Sequence, residues 1–362
     1  MHRKKIAVVL FNLGGPDKLS SVRPFLFNLF NDKAIISWPQ PFRFLLAWLI
    51  SSRRYKKSQK IYQQIGGKSP LLEITQAQAH ALEKELSFGG DFKVFVDMRY
   101  WHPMTDEVIK NIFSYQPERL ILLPLYPQFS TTTTASSFNN FLDKFSFEQQ
   151  MRGTKISVQK VCCYFSEPQF ILAHSKLIKQ TISQLPQENL ANFRFLFSAH
   201  GLPQKLIDRG DPYVFQVEKT TEMVIENLAQ LLEEKASSLD YKVCYQSKVG
   251  PMQWTGPSID NEIRRAALDK KIPVIVPIAF VSEHSETLVE LDIDYRNLAK
   301  SLGIVHYLRV PALNVDGHFI KSLVEMCKKV AFSEEKCFSG KEAARACPAG
   351  LKQCCQAALH KN

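Results

Sequence analysis

A run without charge, Ile272 to Phe280, hands over to Glu283, Glu286, Glu290 and Asp294. On an α-helix of ~3.6 residues per turn these offsets keep the four carboxylates within an arc of about 80°. His284 and Ser285 fall in the same first turn. Taken alone, such a stripe is a solvated helix face. A second imidazole gives it another meaning. His200 stands in Phe197-Ser198-Ala199-His200-Gly201-Leu202-Pro203, where glycine and proline turn the chain just past an apolar run. Imidazole with carboxylates suits a borderline divalent metal such as Fe²⁺. It equally suits proton abstraction near neutral pH. No serine or cysteine nucleophile motif accompanies these residues, so covalent hydrolysis is not indicated.

Thiols form a second constellation. Of eight cysteines, Cys327, Cys337, Cys347, Cys354 and Cys355 all follow residue 320, while Cys162 and Cys163 are adjacent. The chain is too large to need a disulfide framework. The crowding points to a metal or cluster site, with scattered buried thiols as the alternative. Between Gln246 and Pro257, two Gly-Pro steps frame Trp254, either packed down or free to stack on a planar ligand. Gly14-Gly15 lacks the G-x-G-x-x-G spacing, and Pro16 follows it, so a nucleotide cofactor is rejected.

Short apolar segments alternate with longer amphipathic ones, the pattern of a parallel α/β fold. Strands are expected near 5–12, 92–98, 119–126 and 156–163, then near 194–199, 241–247, 272–280 and 304–310. The clearest helices are 214–235, 284–301 and 315–330. Grouped four and four, the strands give two Rossmann-like domains whose four-stranded parallel sheets face each other across a cleft. Polar residues recur at the strand ends, from Asn12 through Arg99, Tyr126 and His200 to Gln246 and Ser282. Ligands of open α/β sheets bind at that edge. Domain one is assigned to 1–163 and domain two to 164–311, with 312–362 a helix returning to the first domain and a cysteine-rich tail.

The 362 residues carry a net charge of +11 with 45% hydrophobic content, which is ordinary for a protein with an ample core. No RNA-binding or zinc-finger pattern is present, so nucleic acid is not expected as a partner. The apolar run after the basic N-terminus leads into a turn without a cleavage site, and no stretch reaches the ~20 apolar residues of a spanning helix. A cytoplasmic protein follows. Residues 34–50 hold Trp38, Phe42, Phe44 and Trp48, and Arg53, Arg54, Lys56 and Lys57 come next. Aromatics beside clustered cations suit an interfacial membrane anchor, a buried core helix being the alternative.

Together these segments resemble the ferrochelatases, which insert Fe²⁺ into a porphyrin at the end of haem synthesis. The resemblance is carried by Leu10-Phe11-Asn12-Leu13-Gly14-Gly15-Pro16, Arg99-Tyr100-Trp101-His102-Pro103, Tyr126-Pro127-Gln128-Phe129-Ser130 and Ser198-Ala199-His200-Gly201-Leu202-Pro203. It extends through Tyr245-Gln246-Ser247-Lys248-Val249-Gly250-Pro251 and Ser282-Glu283-His284-Ser285-Glu286-Thr287-Leu288. It implies protoporphyrin held between the two domains, with His200 and Glu286 catalytic. It places Glu283, His284, Glu290 and Asp294 on the metal or proton route, where passing cations make the repulsion tolerable. Leu13, Arg99, Tyr100, Ser130 and Trp254 become porphyrin contacts. Leu13 stands where other members carry a tyrosine or methionine, and it cannot ligate iron. The 34–57 segment resembles the lip that docks members on the inner face of the cytoplasmic membrane. Some members hold a 2Fe–2S cluster on one internal and three C-terminal cysteines. Here Cys162 or Cys163 with Cys347, Cys354 and Cys355 supply the thiolates, Gly350 replaces one ligand of the animal pattern, Cys337 is an alternative ligand, and zinc is a rival metal. Coproporphyrin chelation and a non-catalytic tetrapyrrole carrier remain as alternative functions, and a homodimer is compatible with the sequence.

Overall fold

The computed structural model describes residues 4–87, 89–248 and 252–358. Val249, Gly250 and Pro251 of the glycine-proline loop lie outside the described residues. The chain divides into two compact units, Met1–Cys163 with Leu323–Ala344, and Tyr164–Ser322 with Arg345–Asn362.

In the first unit, β1 (Lys5–Asn12) is an apolar run buried along almost its whole length, as a strand covered on both faces must be. It pairs in parallel with β2 (Asp91–Met98) on one side and β3 (Arg119–Pro124) on the other. Beyond β3 lies β4 (Ser157–Cys163). The second unit repeats the scheme with β5 (Phe193–His200) between β6 (Tyr241–Gln246) and β7 (Ile272–Pro277), and β8 (Leu308–Arg309) outside β7. β8 is only two residues long, not the expected seven, and Pro311 just beyond it has no N–H to extend the ladder.

The first sheet holds five strands, in the order β2-β1-β3-β4-β9, and not the expected four. The added strand, β9 (Cys337–Ser339), comes from the cysteine-rich tail and pairs in parallel with β4. The second sheet has the four expected, in the order β6-β5-β7-β8. Counted within its own unit the first sheet therefore runs 2-1-3-4-5 and the second 2-1-3-4, the doubly wound order whose ligand crevice opens between the first and third strands.

The expected α-helix over 284–301 is a π-helix from Glu286 to Asp294 followed by an α-helix from Tyr295 to Ser301. A side chain from outside enters the ladder there. The Tyr307 hydroxyl donates to the Leu291 carbonyl within the π-helix. The wider turn still buries Thr287, Val289 and Leu291.

Candidate functional site

His200 is the last residue of β5, and the acidic helix follows β7, so the two meet at the crevice position of the second sheet. Gly201 lets the chain turn away at once. A Cβ there would come within 2.9 Å of the Gln246 carbonyl oxygen. His200 Nδ1 lies 2.9 Å from Glu286 Oε2. Glu286 also accepts from Gln246 Nε2 at 3.1 Å, and the Ser198 hydroxyl fixes that amide by donating to its oxygen at 2.7 Å. Ser198, Gln246, Glu286 and His200 thus form one chain of hydrogen bonds.

The pair's electrostatics follow from the charge each partner sets beside the other. Burial works to lower the His200 pKa, but the Glu286 charge and hydrogen bond, with help from Glu290, raise it above its ordinary value. Burial would raise Glu286, yet His200 outweighs it and holds this carboxyl well below the usual range. Glu290 moves the opposite way. Burial and the Glu286 charge raise it, against hydrogen bonds from Ser247 and Tyr295. Ser247 supplies both its N–H (3.1 Å) and its hydroxyl (2.6 Å) to Glu290, and it does so from the left-handed region at φ 64°. Few non-glycine residues adopt that region, and here it brings both donors of one residue onto a single carboxylate.

The other members of the acidic line separate. Glu283 is buried, and its Oε1 accepts from Arg309 Nη1 at 2.7 Å and from the Ala312 N–H at 3.0 Å, while Oε2 has no hydrogen-bond partner. His284 turns Nδ1 to the Ser282 carbonyl at 3.1 Å, and Asp294 is exposed. Trp254 is half-buried and bridges to Pro203, just past His200.

In the first unit Leu13 packs partly buried beside Tyr100 and Val22. Ser130 is buried, with its hydroxyl 3.0 Å from that of Thr132. Tyr100 is buried and donates its hydroxyl to Asp32 Oδ2 at 2.7 Å. Arg99 Nη2 reaches the same oxygen at 2.8 Å. The 34–57 segment forms a helix from Phe42 to Gln63, and its aromatic residues face outward: Trp38, Phe42, Phe44 and Trp48 are all exposed, as are Arg53, Arg54, Lys56 and Lys57. Among the described residues no helix is long and apolar enough to cross a membrane.

All eight cysteines are free thiols. In the first unit the Sγ atoms of Cys162 and Cys337 lie within 4.8 Å of each other, while Cys163 Sγ lies 3.2 Å from the Ser339 hydroxyl. In the second unit Cys347, Cys354 and Ala357 bury together against Phe215 and Leu351, and a hydrogen bond from Cys347 brings the Cys354 thiol down to about 7.

Sequence reasoning had named neither Asp32 nor Tyr295 nor the partnership of Arg309 with Glu283. Gln246 and Ser247 are visible as a polar strand end and as part of the Tyr245–Pro251 motif.

A family model described as Ferrochelatase matches residues 5–331. A protein named Ferrochelatase from Rickettsia bellii (strain OSU 85-389) is 51% identical over 358 residues, covering 98% of this chain and 96% of that protein. Another of that name, from Pelagibacter ubique, is 44% identical over 355 residues, covering 97% and 98%. Among solved structures, SirB from Bacillus subtilis with Fe³⁺ superposes with a TM-score of 0.51 at 10% identity, covering 91% of this chain and 96% of that one. At that identity the likeness is one of fold.

Proposed function

The chain belongs to the ferrochelatase family, and from that premise we propose that it inserts Fe²⁺ into protoporphyrin IX to form protohaem, with His200 and Glu286 as the reacting pair. It is an enzyme, a lyase that places a metal in a porphyrin. A free porphyrin carries two pyrrole N–H protons that must leave before its four nitrogens can bind iron. The observation that carries the assignment is the orientation of His200. Its Nδ1 is engaged by Glu286, so Nε2, with no protein partner among the described residues, is the nitrogen left to take a pyrrole proton. The imidazolium so formed is stabilised by the carboxylate beside it, and Gln246 keeps that carboxylate in place.

Glu290, whose pKa is raised, accepts a proton more readily than Glu286 and makes the next station of the line, with exposed Asp294 at its outer end. His284, donating from Nδ1 to a carbonyl, keeps its Nε2 lone pair for iron. Glu283 has one oxygen committed to Arg309, so any role toward iron falls to Oε2. Arg99 takes a porphyrin carboxylate, and Leu13, Ser130 and Trp254 are the other porphyrin contacts. Tyr100 serves through Asp32. Anaerobic incubation with Fe²⁺ and either protoporphyrin or coproporphyrin tests the reading. Metallation no faster than the uncatalysed rate defeats it, and a preference for coproporphyrin defeats the substrate choice.

The exposed aromatics and cations of the 34–57 segment support docking on an anionic bilayer, from which an apolar porphyrin would be delivered. Flotation with anionic vesicles checks it, and Trp38→Glu with Phe42→Glu should release the protein. The 2Fe–2S cluster belongs to the same proposal, with Cys162 preferred over Cys163 because its sulfur lies within 4.8 Å of that of Cys337, the alternative ligand. Cys347, Cys354 and Cys355 are the tail ligands. Such a cluster would supply one-electron exchange. Cys162→Ser should lose sulfur-to-iron absorption over roughly 300–600 nm, and Cys163→Ser should keep it.

A further inference from the structure

Arg99 and the buried Asp32 form a construction whose geometry serves more than an ion pair. Arg99 Nε donates to the Ser136 hydroxyl at 3.0 Å and Nη2 to Asp32 Oδ2 at 2.8 Å. Ser136 in turn donates to the same Asp32 oxygen at 2.7 Å. One edge of the planar guanidinium is therefore held at two points by groups that are themselves bonded together. Its Nη1 has no protein partner among the described residues, and the side chain keeps 18% of its surface exposed. A guanidinium presents its donors in a fixed plane, so pinning one edge fixes the direction of the remaining N–H groups.

The clamp is itself anchored. Asp32 Oδ1 accepts from the Ala34 N–H at 2.8 Å, and Tyr100 adds its hydroxyl to Oδ2 at 2.7 Å. The arginine also lies over the Tyr100 ring, 5.1 Å from its centroid. Burial raises the carboxyl's pKa, but Arg99 and the other donors outweigh it, so the anchor stays ionised.

We infer that Asp32 and Ser136 are positioning residues that aim the free Nη1 of Arg99 at a carboxylate on the edge of the porphyrin, and so help to select porphyrins that carry free acid groups. The inference rests on Arg99 being a porphyrin contact. Without its clamp the arginine keeps its charge but must be ordered anew by each substrate, at a cost in affinity and not in chemistry.

The test compares deuteroporphyrin, a diacid, with its dimethyl ester, both with Fe²⁺ under anaerobic conditions in one detergent. Asp32→Asn should raise KM for the diacid about tenfold, as loss of a charge-assisted hydrogen bond does. It should leave kcat within about twofold, since the clamp does not touch the reacting atoms, and leave the diester's KM unchanged. Arg99→Ala should show the same discrimination, and the double variant should be no worse than Arg99→Ala alone. An equal effect of Asp32→Asn on both porphyrins, with Arg99→Ala still discriminating, overturns the inference and leaves the Arg99 contact standing. If Arg99→Ala does not discriminate, the contact and the inference fall together. Should Asp32→Asn fail to fold, Ser136→Ala removes the second pin alone. It should raise the diacid's KM roughly threefold and spare the diester, and equal effects on the two again overturn the inference.

Discussion

Each unit carries a partly buried cation–carboxylate pair near the C-terminal end of a strand, and the two pairs are built for opposite tasks. Asp32 and Arg99 meet at 2.8 Å, Glu286 and His200 at 2.9 Å. Their lengths hardly differ, but their protons do. A guanidinium never yields its proton, so the first pair is a fixed charge whose value lies in direction. An imidazole titrates near neutrality, and a carboxylate beside it decides when. The surroundings match these tasks. Asp32 takes donors from four sides, whereas His200 keeps one nitrogen open.

The comparison breaks most visibly if the mobile proton is removed. His200→Ala and Glu286→Gln should each lower kcat by roughly a thousandfold, within the range of lost general acid–base catalysis. Iron insertion followed by the haem absorption band checks this, and activity near the unaltered level would deny His200 its role. The pH dependence sharpens the same point. The His200 pKa is raised, so kcat/KM should climb with pH through an apparent value above 6.5. Glu286→Gln should move that limb downward, because the carboxylate is what retains the proton. Stability runs the other way. A raised imidazole contributes fully below 6.5 and loses its contribution as pH rises through its folded value. Lowered Glu286 contributes above 4.5 and is lost as pH falls toward its folded value. The melting-temperature gap between the unaltered protein and His200→Ala should therefore be widest between 4.5 and 6.5 and narrow on both sides.

On the fixed-charge side, Arg99→Lys keeps the cation but loses the planar fork. A rise of about tenfold in diacid porphyrin KM is expected, with an unaltered pH profile. A shifted profile would mean that the two pairs are not separable. The smallest effect belongs to Ser247→Ala. It removes one of Ser247's two bonds to Glu290 and should slow turnover roughly threefold, with Glu290 raised further and the loss greatest at low pH, where a protonated carboxyl cannot accept. Stopped-flow metallation would read it.

Much of this was legible from residue order because a strand buried on both faces leaves an unmistakable apolar run. β1, β3, β5 and β7 announce themselves so, and the polar residues past their ends mark the crevice. The carboxylate stripe was legible too, but its geometry was not. Nothing in Glu286–Asp294 distinguishes an i→i+5 ladder from an ordinary one, since the intruding hydroxyl belongs to Tyr307. Glu283 was legible as a member of the acidic line because its charge is local, but its partner Arg309 was not, lying 26 positions away. Asp32 sits in Phe30-Asn31-Asp32-Lys33, a stretch with no motif, and only tertiary packing brings Arg99 and Ser136 to it. β9 escaped notice because Cys-Phe-Ser is too short to show a period.

That short strand also sets a timetable for synthesis. It closes the outer edge of β4, and Cys163 and Ser339, which meet across the seam, are 176 positions apart. Closing so long a loop adds little to the equilibrium cost, roughly 0.6 kcal/mol for each doubling of length. The burden is one of waiting. At about 5–20 residues per second a ribosome needs roughly 10–35 s to pass from β4 to β9. Throughout that interval the nascent β4 exposes an unpaired edge, with Cys162 and Cys163 beside it, to any other strand in the cell.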